Sequence, residues 1–284
     1  MSGFASKLAS KYLLSGTMLA GLVFVGAVLA PAIAADGNPP DFGGLSAGWT
    51  SMGGEWMPLP GSGQTTVQDP HVRYVPNNVR EQPTFRYANA DNPNLKQWAK
   101  DELKKDNVKQ DKGFAMWSRS ARCWAQGVPV FLLNPARPTY FIQTPKEVLM
   151  ISETDHQTRR IYLNVPHSTN PQPSWYGESV GHYEGAELVV DTIGQNTKTF
   201  IDNFRTPHGP KLHVVERFRI IEGGKTLEEE ITVEDPDTLI TPWHVTHRAR
   251  KVDAPLQESS CAESGGDHFP VDAEPIQQAD KPDF

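Results

Sequence analysis

Apolar and polar positions alternate with period two through most of the second half of the chain, and this alternation predicts strands. In Leu212-His213-Val214-Val215-Glu216-Arg217-Phe218-Arg219-Ile220, one face collects Leu212, Val214, Phe218 and Ile220, and Glu216 falls among them. Comparable strand signals run over 140–143, 147–153, 160–164, 187–193, 226–234 and 243–252. Most connections between them are short, as in Thr144-Pro145-Lys146 and the hairpin-like Glu222-Gly223-Gly224-Lys225. Consecutive strands with almost no helix between them predict a mainly β fold, an antiparallel meander closed into a barrel or folded into a sandwich.

The pattern is different upstream. Residues 36–82 are rich in Gly, Pro and polar side chains, with Trp49, Trp56 and Met57 as isolated anchors, which predicts an extended arm draped over a body, or partial disorder. Pro93-Asn94-Leu95-Lys96-Gln97-Trp98 leads into one short amphipathic packing helix with Leu95, Trp98 and Leu103 near helical spacing. Its Lys-rich stretch, 100–112, interleaves acids and reads as a solvated face. The expected organisation is a leader over 1–34, arm and helix over 35–118, a barrel-like domain over 119–255 and a polar tail over 256–284. Two connections, 165–182 and 194–210, are too long for simple turns and are the expected rim of a pocket.

The N-terminus sets the compartment. Lys7 and Lys11 precede an apolar stretch from Met18 to Ala30 that ends in Ala32-Ile33-Ala34, a secretory signal pattern with cleavage near Ala34. The expectation is a periplasmic or secreted protein with no stable membrane insertion after cleavage. The formal net charge of −7 becomes more negative once Lys7 and Lys11 are removed, which disfavours nucleic acid as a partner. In an oxidising compartment, Cys123 and Cys261 can close one disulfide, worth at most about 4 to 5 kcal/mol for so long a loop.

A carboxylate on an apolar face needs a partner or a proton. The alternation that turns Glu216 inward also groups Glu229 with Leu227, Ile231 and Val233, and His247 with Trp243, Val245 and Ala249. On a shared interior these three form a plausible acid–base set, with Glu216 as acid or base and His247 or His208 as its proton partner. Asp191, Asn196 and Asp202 are placed to orient a ligand at the mouth. His167, Trp175, Tyr183, His213, Glu229 and Trp243 complete the expected ligand surface. The structural alternative is a buried ion pair of Glu216 with an Arg from a neighbouring strand.

Two other chemistries are weaker. Gly177-Glu178-Ser179-Val180-Gly181 matches G-x-S-x-G, but a Pro-rich loop precedes the serine and strand formers follow it, which is not a nucleophile elbow. His208, His213, Glu216, His244 and His247 are close in sequence. Strand residues three apart face opposite ways, however, which leaves only a metal site assembled from different strands. No metal and no cofactor are expected.

The strings Arg159-Arg160-Ile161-Tyr162, Pro173-Ser174-Trp175-Tyr176-Gly177-Glu178-Ser179-Val180-Gly181-His182-Tyr183-Glu184-Gly185, Leu188-Val189-Val190-Asp191-Thr192, Leu212-His213-Val214-Val215-Glu216-Arg217 and Pro242-Trp243 resemble a family of exported bacterial proteins, over roughly 123–261. The chain departs from that pattern at Asn164-Val165-Pro166, where the family carries Asp-Gly-Arg, and at Ala186, where it carries Asp. The resemblance implies export and names no reaction. The strand order is also similar to lipocalin-type barrels, which implies an interior pocket. The resulting expectation is a barrel that binds a small, largely apolar or aromatic molecule and acts on it by acid–base chemistry of a hydrolase, lyase or isomerase type. The alternatives are a non-catalytic carrier and a structural envelope protein.

Overall fold

Ten strands and one α-helix form in the computed structural model, which describes residues 39–74, 86–112, 124–133 and 137–259. The expected cleavage site near Ala34, Cys123 and Cys261 lie outside the described residues. The strands are β1 (Gly44–Ser51), β2 (Met57–Pro58), β3 (Thr139–Gln143), β4 (Glu147–Ser152), β5 (Thr158–Leu163), β6 (Glu178–Glu184), β7 (Glu187–Ile193), β8 (His213–Ile221), β9 (Thr226–Glu234) and β10 (Trp243–Val252). Helix α1 spans Gln97–Asp111.

The sheet runs β1-β3-β4-β5-β6-β7-β8-β9-β10 and closes on itself where β10 meets β1, with Gly48 opposite Val252 and Ser51 opposite Ala249. The two-residue β2 continues along the same edge of β10, at Val245 and Thr246. The chain is therefore mainly β with a closed nine-strand barrel, as the alternation predicts. Its pairing is not purely antiparallel: β5 and β6 run parallel, with Ile161 opposite Ser179. Parallel neighbours cannot be joined by a tight hairpin, so the chain crosses over through residues 164–177.

Two expectations change. Residues 178–184 are strand rather than rim, their polar and Gly-containing sequence hiding an alternation in which Ser179 and Gly181 face inward. The arm is not merely draped over the body, because β1 closes the barrel. Trp49 of β1 is 1% exposed, and its indole N–H donates to the Phe42 carbonyl at 2.9 Å. Helix α1 buries Ala99, Leu103 and Asn107, spaced by four, whereas Trp98 stays 40% exposed and Leu95 precedes the helix, bridged to Leu239.

The apolar interior falls into two clusters. One joins Leu95, Ala99 and Leu103 to Val214, Ile231, Val233, Trp243 and Val245. The other joins Phe42, Trp49, Phe131 and Phe141 to Ile161, Leu188, Phe218, Leu227 and Ala249. On three successive strands a single polar residue separates them: Glu216 between Val214 and Phe218, Glu229 between Leu227 and Ile231, and His247 between Val245 and Ala249.

If β1 is structural, Trp49→Ala removes a fully packed indole from the closing strand and should cost about 3 to 5 kcal/mol. Chemical denaturation checks this, and a loss under about 1 kcal/mol would mean that the arm merely rests on a self-sufficient body.

Candidate functional site

The polar residues between the two apolar clusters form a belt. Arg159 on β5 reaches across the interior to Glu216 on β8, with guanidinium-to-carboxylate distances of 2.8 and 2.5 Å to the two oxygens. The same guanidinium donates to Ser179 Oγ on β6 at 3.2 Å and to Thr192 Oγ1 on β7 at 2.9 Å. Arg159 and Glu216 are each 0% exposed. A bidentate pair with its remaining N–H groups met by hydroxyls is the geometry in which two buried charges are tolerated. The partner of Glu216 is therefore an arginine three strands away across the barrel rather than on a neighbouring strand.

Glu229 lies beside this pair and opposite His247 in the β9–β10 register. Burial, and next the repulsion and contact of the Glu216 carboxylate, push its carboxyl well above the ordinary range, against a smaller pull from Arg159. Among the described residues neither Glu229 oxygen receives a hydrogen bond from another group. Between a carboxylate and a ring nitrogen, only a proton of its own makes those contacts favourable, so Glu229 is held neutral.

His247 is fixed by Ser51. The Ser51 hydroxyl gives its single proton to the Gly53 carbonyl, so the 2.7 Å contact with His247 Nε2 must be donated by the imidazole. Nδ1 is then bare and faces Glu229 Oε2 at 3.3 Å. Burial holds this imidazole down to about 4, against a smaller contribution from the Gly53 backbone. Ser51, His247 and Glu229 have the outline of a nucleophile triad. The proton positions oppose it, because Nε2 is already protonated and cannot take a proton from Ser51.

A second polar chain lies outside the barrel at its rim. His167 Nε2 and His213 Nε2 both contact Asp191 Oδ1, at 2.9 and 3.1 Å. Behind them, His167 Nδ1 meets Glu178 at 3.0 Å and His213 Nδ1 meets Glu234 at 3.2 Å. The order Glu178–His167–Asp191–His213–Glu234 alternates carboxylate and imidazole across four adjacent strands and the 164–177 crossover. Burial alone would lower the His213 pKa, but hydrogen bonds to Asp191 and Glu234 raise it on balance. Burial would likewise raise Glu178, but the Ser168 backbone and side chain and His167 outweigh it and hold its carboxyl low. Unlike the belt, this relay meets solvent, with the Asp191 side chain 41% exposed.

His213 also borders a cleft of about 540 Å³. Pro171 and Pro173 of the crossover line it together with Ile193 to Thr197 and Pro210 to Leu212. The two loops are tied together by Ser174 N to Gly194 O at 3.1 Å and Asn196 N to Ser174 O at 2.8 Å.

The residues expected to share one site thus divide. Glu216, Glu229 and His247 meet in the interior as expected, but at 0 to 2% exposure none touches solvent. Trp243 is core, and His208 is buried with Nδ1 donating to the Gly209 carbonyl and Nε2 accepting from Thr199. Asp202 is not at a mouth; it is buried, accepting the backbone N–H groups of Phe204 and Thr206. Tyr183 is half-buried against Gln143, and Trp175 stacks under Lys198 beside Trp124. His167, Asp191, Asn196 and His213 are brought together at the rim. Ser179 is a belt residue bonded to Arg159 and Thr192.

Sequence reasoning passed over Arg159, Glu178, Glu234 and Ser51. The signal for Arg159 was present, since Arg159, Ile161 and Leu163 share one face of β5. No metal-binding group of three or more His, Cys, Asp or Glu residues occurs among the described residues. No family model, curated protein or solved structure matches the chain.

Two outcomes follow for the belt. Glu216→Gln leaves the Arg159 charge buried without its counter-charge and should cost about 3 to 5 kcal/mol, whereas joint replacement of Arg159 by Met and Glu216 by Leu should restore most of it. Denaturant melts of the single and double variants measure this; an unchanged midpoint for the single variant would mean the pair is not holding the barrel. For Glu229, a folded pKa above the unfolded value gives stability that is complete below about pH 4.5 and lost as pH rises toward the folded value. His247 has the opposite sign: its contribution is complete above about pH 6.5 and lost as pH falls toward about 4. Glu229→Gln should therefore be increasingly stabilising relative to wild type as pH rises above about 5. A constant or shrinking difference between the two melting curves over that range would show that Glu229 is ionised in the fold.

Proposed function

We propose that this protein is an exported barrel that binds a small, largely apolar or aromatic molecule, and that the ligand lies in the rim cleft rather than in the barrel interior. The observation that carries this reading is the cleft itself, walled by prolines and by Ile193 and Leu212, and bordered by an imidazole already engaged by a carboxylate. The interior acids are a poor ligand surface because the belt is closed by its own contacts. In this reading His213 and Asn196, which line the cleft, meet the polar end of the ligand, and Asp191 and His167 stand behind His213 in the relay.

A second reading, acid–base turnover of a hydrolase, lyase or isomerase type, is favoured by the imidazole–carboxylate alternation at the cleft edge, where a proton taken by His213 can be balanced by Asp191 and Glu234. Export is supported by the Lys7 and Lys11 leader with its small-residue ending, and in that compartment we propose that Cys123 and Cys261 are bridged. Membership of the exported family is supported by the strings 173–185, 188–192 and 212–217.

The test is a screen of the mature protein against aromatic and terpenoid metabolites by mass spectrometry, read both for retained ligand and for changed mass. A ligand should be retained by wild type and lost in Thr197→Trp, which fills the cleft from an exposed position. Product should vanish in Asp191→Asn with binding kept within roughly tenfold if the relay does chemistry. Retention unaffected by Thr197→Trp would place the site elsewhere on the molecule.

A further inference from the structure

The polar groups bordering the rim cleft are of one kind. Among the described residues its ionisable members are Lys211 and His213 and no carboxylate lines it, although the chain as a whole carries a formal net charge of −7. The amide groups point the same way. Asn196 uses its Oδ1 to accept the Lys198 backbone N–H at 3.0 Å, which leaves the NH2 end for a ligand. Gln195, 2% exposed, uses its Oε1 to accept the Val128 backbone N–H at 2.9 Å, and its Nε2 is closed off from solvent, so the side-chain amide donor open to a ligand is that of Asn196.

Among the described residues Lys211 pairs with Asp237 at 3.0 Å through a side chain 68% exposed, a surface pair that uses one of three ammonium protons and holds the side chain weakly. His213 faces Asp191 from β7 and Glu234 from β9, with His167 beyond Asp191 and Lys211 two residues before it. Those carboxylates hold the proton on the ring to higher pH than a free imidazole would keep it. The cleft thus offers cationic and N–H donor groups together with apolar lining.

We propose that the cleft takes a small apolar carboxylic acid as its anion, with the carboxylate on Lys211 and the Asn196 amide beside His213, and the apolar body against Pro171, Pro173, Ile193 and Leu212. The proposal rests on the reading of the cleft as the ligand site and adds the charge and class of the ligand. A singly charged head fits two cationic groups, whereas a phosphate dianion would ask for a denser set of donors than these.

The experiment uses matched pairs that share a body and differ only in the head: phenylacetic acid and phenylacetamide, naphthoic acid and naphthamide, decanoic acid and decanamide. Each is titrated calorimetrically into the mature protein. The acid of at least one pair should bind roughly tenfold or more tightly than its amide, Lys211→Met should remove roughly that factor for the acid alone, and affinity should fall as pH rises past the ordinary imidazole value of about 6.5 and His213 loses its proton. Equal binding of acid and amide, with both lost in Thr197→Trp, would overturn the carboxylate and leave the cleft reading standing. Acid binding that survives Thr197→Trp, or no binding by either member of any pair, would overturn the cleft reading and this proposal with it.

Discussion

The Arg159–Glu216 pair is the constraint around which the rest of the barrel is arranged. A guanidinium at the centre of a closed barrel is tolerable only if each of its faces is met, and β6, β7 and β8 each contribute one group to it: Ser179, Thr192 and Glu216. Those strands are locked into register, because a one-residue slip would turn every one of these groups to solvent and bring an outer residue into the core. The second interior acid then has no charge left to balance it. Its neutrality follows from the first pair, and the bare Nδ1 of His247 follows from the proton that Ser51 gives to Gly53. From Gly53 to Thr192, the interior polar groups form one ordered chain of proton and charge positions.

The same strands carry the rim chemistry on their other face. Each of β6 to β9 supplies one residue to the belt and one to the relay: Ser179 and Glu178, Thr192 and Asp191, Glu216 and His213, Glu229 and Glu234. Strand alternation makes this possible, since residues of opposite parity point to opposite faces. The consequence is a division of labour. The inner set fixes the register, and the outer set inherits from it the spacing that lets two imidazoles share one carboxylate oxygen.

Period two was enough to read the inward faces of β8, β9 and β10, and hence the meeting of Glu216, Glu229 and His247, because those strands are long and their inner positions almost uniformly apolar. The same rule fails where the inner face is small or polar. In β6 it holds Ser179 and Gly181, so the strand reads as loop, and in β1 the closing residues lie in a Gly-rich stretch with Trp49 as its one large anchor. Burial depth was also out of reach, since alternation assigns a face but not whether that face opens to a ligand or closes on an arginine. The partner of Glu216 lies 57 residues earlier, and only the closure of the barrel brings the two together. His167 and His213 stand out in the sequence by residue type, whereas their shared contact on Asp191 depends on the parallel junction, which no local pattern announces.

That junction is also the origin of the cleft. Antiparallel neighbours can be joined by two to five residues, as β3 joins β4 through Thr144-Pro145-Lys146, and such turns have no length to spare for a wall. Because β6 runs parallel to β5, the chain must return from one end of the barrel to the other through residues 164–177. This segment carries His167 to Asp191, and it lays Pro171 and Pro173 beside Gly194 and Asn196, where the backbone bonds at Ser174 fasten it. Gly194, at a φ of 70°, takes a left-handed turn that a side chain would resist, and a Cβ built there would come within 3.1 Å of the Pro171 ring. Among the described strands the one parallel pair is therefore what gives an otherwise closed barrel a concave surface with ionisable groups at its edge.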